Sequence, residues 1–305
     1  MQTTLRSILT FDGRGLHSGA PARLTLRPAV ANTGIVFVRT DAAGQGARIA
    51  ALWHNVEVSP LNTRLTQGSV SISTIEHLMA ALSGCGVHNV IVEIDGPEVP
   101  IMDGSAAAFV RGIVSTGLTQ MAAPLRAIEI LDEVHVDHNG AWASLRPATS
   151  LQIDFEIDFP DAAIGHQHKT LNMANGSFVR NLSDSRTFCR NVDVDDMRSH
   201  GLALGGTMEN AVVVDGARVL TPGGLRHADE PVRHKMLDAL GDLYTAGLPI
   251  LGRYTGYKAG HNLTNALLRA LFEQPDAWRT VTCDAQIAAR LPGVGVSVAD
   301  LHAVA

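Results

Sequence analysis

The sequence predicts an α+β protein made of two domains. Helical and strand patterns are mixed without a regular β-α-β alternation, which argues against one parallel sheet wrapped by helices. Several strand patterns alternate between apolar and polar residues, the mark of half-buried antiparallel sheets. The chain has 305 residues, which suits one large domain or two of about 150 residues each. Periodic structure lapses near QMAAP at 120–124. That places a first domain at 1–123 and a second at 124–305.

Taken in order, residues 1–30 and 33–41 read as strands joined by turns, with clear alternation from Ala22 to Pro28. Short segments follow from Ala47 to Ser73. A helix is predicted at 73–82, ended by Gly84 and Gly86. His88 to Asp95 reads as a buried strand rich in Val and Ile, closed by the turn Asp95-Gly96-Pro97. Residues 105–117 read as a helix stopped by Gly117. Ala127 to Pro147 reads as a hairpin about Asn139-Gly140, the strongest local hairpin signal. Leu151, Ile153, Phe155, Ile157 and Phe159 share one face of an antiparallel strand, with Gln152, Asp154, Glu156 and Asp158 facing outward. Helices are expected near 177–183, 193–199, 231–246 and 261–273, with short strands at 211–215 and 218–221.

Composition narrows the class. Hydrophobic residues are 46% and charged residues 18%, as in ordinary globular chains. The net charge is −6 without a basic run, so neither nucleic acid nor an anionic lipid surface is an expected partner. No segment has the apolar length of a secretory signal or a membrane span, and a cytoplasmic protein is expected. Cys85, Cys189 and Cys283 are widely spaced and form no Cys-x-x-Cys pair. They read as reduced thiols rather than metal ligands.

The chemistry points to two helical segments. In VRHKMLDALGDLY at 232–244, His234, Asp238 and Asp242 recur every four residues and fall on one side, opposite Val232, Met236, Leu240 and Leu243. In STIEHLMAAL at 73–82, Glu76 and His77 lie side by side, with His77 off the face of Ile75, Leu78, Met79 and Leu82. Together they offer three metal ligands and a base, the needs of a hydrolytic zinc site. Simpler readings compete for each residue. Ser73 and Glu76 match a capping box, and a lone His77 could face solvent. His234 and Asp238 could be a surface pair, extended by Asp242, beside a solvated Lys235. His261 follows Gly260 at a helix start. A carboxylate such as Asp242 would favour its charged form against the helix dipole and make it a proton donor. His166 and His168 read as a loop pair lacking a third ligand, and His135 and His138 as solvated residues flanking a hairpin. The glycines of GLALGG at 201–206 read as a tight turn rather than a nucleotide-binding loop.

Further segments are GRGLHSG at 13–19, STIEHLMAALSGCGVHN at 73–89, DGPEVPIMDGSA at 95–106, SRTF at 185–188, GLALGG at 201–206, VRHKMLDALGDL at 232–243 and YKAGHNLTN at 257–265. In that order they closely resemble the zinc-dependent UDP-3-O-acyl-N-acetylglucosamine deacetylases of Gram-negative bacteria, which catalyse the committed step of lipid A synthesis. The resemblance implies zinc held by His77, His234 and Asp238, with Glu76 as general base. It implies that Thr187 holds the reacting carbonyl, that His261 is the charged partner or acid, and that Asp242 orients His261. Lys235 would contact substrate polar groups and Phe188 the sugar. The implied fold is two similar α+β domains in a β-α-α-β layered sandwich, each with a small insert. The second insert, at about 188–214, would form an acyl-chain passage lined by Met197, Gly206, Met208 and Val213. The implied substrate is UDP-3-O-acyl-N-acetylglucosamine, acted on by a monomer without stable membrane insertion. Arg190, Asn191 and Met208 depart from common members and leave the acyl-chain preference open. Two readings compete: a zinc amidohydrolase for another acylated amide, and a sugar-nucleotide or lipid-precursor binding protein without turnover. A fusion with a dehydratase is not expected at this length.

Overall fold

The computed structural model describes residues 1–42 and 47–301. Seven α-helices occur among them: α1 Glu76–Gly84, α2 Ala107–Thr116, α3 Ser177–Asn181, α4 Asn191–Ser199, α5 Glu230–Leu243, α6 His261–Phe272 and α7 Ala285–Ala288. The strands form an α+β architecture in which one topology is used twice. In the first half, the hairpin Leu9–Arg14/Pro21–Pro28 pairs antiparallel with Val90–Ile94. That strand runs parallel to Ile35–Arg39, which pairs antiparallel with Arg48–Ala50. In the second half, the hairpin Val134–His138/Ala141–Pro147 pairs antiparallel with Ile250–Tyr257. That strand runs parallel to Gln152–Asp158, which pairs antiparallel with His166–Asn172. In each half one helix precedes the central strand and one follows it, α1 and α2 in the first and α5 and α6 in the second.

The inserts occupy matching slots, between the fourth strand of each set in chain order and the helix before the central strand. The first is a small sheet of Val56–Glu57, Arg64–Gln67 and Val70–Ile72. The second contains Phe188–Arg190, α4, Val212–Asp215 and Arg218–Val219. The expected span of 188–214 therefore falls short of the last strand.

Local sequence accounts for much of this. Ala22, Leu24 and Leu26 are buried in turn along their strand. Asn139 and Gly140 both take positive φ, 51° and 79°, the demand of a type I′ hairpin turn. The hairpin is shorter than expected, because Arg126–Ile130 leaves it to pair with Trp278–Thr282 and with residues 250–251. The strand at 152–158 is antiparallel on one side only. His166 and His168 lie in a strand, not a loop, where they meet Glu156 and Asp154 across the sheet. The central strand Ile250–Tyr257 has no clean alternation to announce it. Its Gly252 is needed because a Cβ there would come 2.7 Å from Ile130. No helix among the described residues is long and apolar enough to cross a membrane.

The helices α1, α2, α5 and α6 lie between the sheets. α5 packs on the strand 152–158, α6 on the hairpin at 134–147, and α1 against both α2 and α5. All nine residues of α1 are buried, as are twelve of the fourteen in α5. The simpler reading of a solvent-exposed polar face therefore fails for both, because each half covers the other's helix. At the crossing, a Cβ on Gly241 would sit 2.1 Å from the Glu76 carbonyl oxygen and 3.1 Å from the Ala80 nitrogen. Backbone in a buried helix cannot move aside cheaply. Gly241→Ala should destabilise by about 1–3 kcal/mol, as overpacking does, although Gly to Ala in an unobstructed helix stabilises by roughly 0.5–1 kcal/mol. Urea melts read the sign, and a variant as stable as the parent would show that α1 and α5 do not meet so closely.

Candidate active site

The close crossing sets the backbone of Glu76 against α5 and brings the polar residues of both helices together. Thr74 enters α1 with φ of 58°, a conformation uncommon for a β-branched residue. The helix then begins at Glu76, and Ile75 occupies the cap position without a side-chain cap. The Ser73–Glu76 capping box does not form. Instead the Glu76 carboxylate accepts the Thr63 backbone N–H at 2.9 Å.

His77, His234 and Asp238 are buried, and their candidate ligand atoms all lie within 4.8 Å of one another. Asp238 Oδ1 is 3.2 Å from His234 Nε2 and 3.6 Å from His77 Nε2. The two imidazole rings meet edge to face with centroids 4.9 Å apart. His234 Nδ1–H donates to the Ser185 carbonyl at 2.9 Å, which leaves the Nε2 lone pair free. Asp238 Oδ2 accepts the Lys235 ammonium at 2.9 Å. Asp238 Oδ1 and His77 Nδ1 are buried with no hydrogen-bond partner. A buried carboxylate oxygen without a donor, beside two imidazole nitrogens, suits a divalent cation. These three residues could hold a metal.

Beside them, His261 Nδ1–H donates to Asp242 Oδ2 at 2.8 Å, and its Nε2 stands 3.9 Å from Asp238 Oδ2. Thr63 Oγ1–H donates to the other Asp242 oxygen. Burial opposes a charge on His261, but Asp242, Glu76 and Asp238 outweigh it and raise its pKa to about 9. Burial pushes Glu76 up to about 8, against the pull of His261 and with Asp238 and Asp242 adding to the rise. Burial likewise depresses His77 toward the neutral form that binds metals. Burial alone would raise the Asp238 carboxyl, yet His234, Lys235 and His77 hold it well below the usual carboxylate range.

These groups open onto a cavity of about 1150 Å³. Glu76, His77, His234, Lys235, Asp238 and His261 line it together with Thr187. So do Phe188, Met197, Gly206, Met208 and Val213 from the second insert, and Leu61 from the first. Asp242 stands behind His261 and is not in the lining. Lys235 is paired with Asp238 rather than solvated. His135, His138, His166 and His168 lie away from the three-residue cluster; of these only His138 touches the cavity. His17 carries no signal in the sequence, yet its ring reaches the cavity with Nε2 buried and unpartnered. The roles of Thr63, Ser185 and Glu98 are likewise unmarked. The partners that reveal these residues come from distant parts of the chain, and their own spacing carries no signal.

Comparison with known proteins places the whole chain in a family. A family model described as UDP-3-O-acyl N-acetylglycosamine deacetylase matches residues 2–273. The chain is 51% identical over 282 residues to a UDP-3-O-acyl-N-acetylglucosamine deacetylase from Phenylobacterium zucineum, covering 92% of this chain and 96% of that protein. It is 44% identical over 298 residues to a protein of the same name from Shewanella oneidensis, covering 96% of this chain and 97% of that one. With similarity running along nearly the whole length, the chain belongs to the UDP-3-O-acyl N-acetylglycosamine deacetylase family.

Proposed function

We propose that this chain hydrolyses the N-acetyl amide of UDP-3-O-(3-hydroxyacyl)-N-acetylglucosamine to UDP-3-O-acyl-glucosamine and acetate, the committed step of lipid A synthesis, with zinc at His77, His234 and Asp238. The observation that carries the reading is the union, in one cavity wall, of the His77–His234–Asp238 cluster, an acid–base pair and an apolar insert. Two imidazoles and one carboxylate are a donor set of catalytic zinc sites. When bound, zinc supplies positive charge that polarises the amide carbonyl and acidifies water.

The protein's own groups supply the rest. Glu76 takes a proton from the attacking water as its oxygen joins the carbonyl carbon. Thr187 and the positive charge on His261 face the oxygen that gains charge. The C–N bond then breaks. An amine leaves only when protonated, and His261, kept charged by Asp242, gives that proton. Lys235 holds Asp238 Oδ2 and so fixes which oxygen faces the histidines. Phe188 touches the sugar. Met197, Gly206, Met208 and Val213 take the acyl chain, whose burial contributes roughly 0.8 kcal/mol per methylene. An amidohydrolase for another acylated amide would share the ligands, and a binding protein would not need the Glu76 and His261 pair.

Single alanine changes at His77, His234 and Asp238 should each lower zinc content and activity together. Full zinc in all three variants by elemental analysis would remove the ligand assignment. The reaction is tested by acetate release from UDP-3-O-acyl-N-acetylglucosamine and from the same sugar without its acyl chain. The parent should release acetate, faster from the acylated substrate. Glu76→Gln should keep its zinc and lose about 10²-fold or more in kcat. Near-normal turnover in that variant would reduce Glu76 to its bond with Thr63.

A further inference from the structure

Three of the segments that carry the family resemblance have no part in the metal cluster: GRGLHSG at 13–19, the stretch from Asp95 to Pro100, and GLALGG at 201–206. The structure joins all three at one place. Glu98 is buried, and no cation among the described residues pairs with it. Its Oε1 accepts the His17 N–H at 2.8 Å and the Thr74 hydroxyl at 3.0 Å, and its Oε2 accepts the Ser18 N–H at 2.8 Å. A buried carboxylate is costly unless hydrogen bonds answer it, and here the donors come from two segments.

Each segment leads to a different part of the site. Thr74 is the left-handed residue through which the chain enters α1, two positions before Glu76, and the Glu98 stretch also bonds to Ser73 through the Ser73 N–H to Pro97 carbonyl and the Val99 N–H to Ser73 carbonyl. The loop 15–19 runs instead to the second insert. The Leu16 carbonyl accepts the Gly205 N–H at 2.9 Å, and the His17 carbonyl accepts the Leu204 N–H at 3.1 Å. Ala203, next in line, holds a φ of 53°, a conformation that needs such restraint in a residue with a Cβ. A Cβ on Gly205 would lie 2.2 Å from the Gly15 carbonyl oxygen. Gly206, the next residue, lines the cavity beside Ala203 and Met208.

We propose that Glu98 is a positioning residue that ties the wall of the acyl passage to the entry of the helix bearing Glu76 and His77, and that this tie sets the preference for a long acyl chain. The proposal rests on the deacetylase reading for its substrate. Without the carboxylate, loop 15–19 loses its anchor, the turn at 203–206 loses its seat, and the passage wall no longer holds one position against the tail. Glu98 touches neither substrate nor metal in this scheme.

The test uses zinc-loaded full-length protein and two sugar nucleotides, UDP-3-O-acyl-N-acetylglucosamine with a long 3-hydroxyacyl chain and its counterpart with a 3-O-acetyl group. Kd for each is measured by calorimetry in a zinc-loaded Glu76→Gln background, where turnover is too slow to consume the ligand, and kcat/KM by acetate release with Glu76 intact. Glu98→Gln replaces one acceptor oxygen by a donor that faces backbone N–H groups. Gly205→Ala lifts the insert off the loop from the other side and serves if the first variant does not fold. In both, the preference for the long chain should fall on the order of tenfold, about the effect of two misplaced methylenes, with zinc content and binding of the short analogue kept. Equal weakening of both ligands, or an unchanged preference, would overturn the proposal. Calorimetry separates the two readings: a parent that releases no acetate refutes the deacetylase assignment, while the shift in Kd preference still decides the role of Glu98.

Discussion

The site depends on one contact, the crossing of α1 and α5 where Gly241 lies under the carbonyl of Glu76. A glycine there lets two backbones approach as no other residue would allow. That approach lets a histidine near the start of one helix reach the midpoint of another, so that His77 from the first half meets His234 and Asp238 from the second. The repeated topology gives this a simple logic. The helix preceding the central strand of each half is buried against its counterpart, and each contributes part of a group that neither holds alone.

Burial is also the source of the chemistry. Glu76, Asp238 and Asp242 are buried, with the partly buried Lys235 and His261 beside them, and unpaired charge in such a place is costly. The structure answers most of that cost with internal pairs, Lys235 to Asp238 and His261 to Asp242. It leaves one carboxylate oxygen of Asp238 and the lone pair of His234 Nε2 without a donor. The same burial that makes this arrangement expensive raises Glu76 to about 8, while the carboxylates around His261 overcome burial and hold its pKa at about 9. Stability and reactivity are thus set by the same few contacts.

Much of this was legible in the sequence. The four-residue spacing of His234, Asp238 and Asp242 does place them on one side of α5, and the Asn139-Gly140 turn does lie where a hairpin needs it. The α+β class and most helices followed from periodicity alone. What was not legible depends on surroundings. Spacing alone leaves His77 open between a ligand and a solvent-facing residue, because it does not tell what covers the polar side of the helix, and here another helix covers it. The Ser73–Glu76 cap was reasonable locally and lost to the Thr63 N–H, a partner supplied by the first insert. The strand Ile250–Tyr257 was missed because its glycines answer to neighbours in other strands. Glu98 was invisible because its donors lie about the loop at 15–19 and at Thr74, far from it in the chain. The resemblance supplied roles that spacing could not.

The central claim is that one metal ion is held jointly by α1 and α5. Anomalous diffraction at the zinc edge from crystals of the zinc-loaded protein tests it most directly. The account predicts one strong peak at about 2.0–2.2 Å from a ring nitrogen of His77, from His234 Nε2 and from Asp238 Oδ1, with Glu76 near the ion but outside its ligands. A peak bound by residues of one helix alone, or one that takes Glu76 as a ligand in place of Asp238, would contradict it.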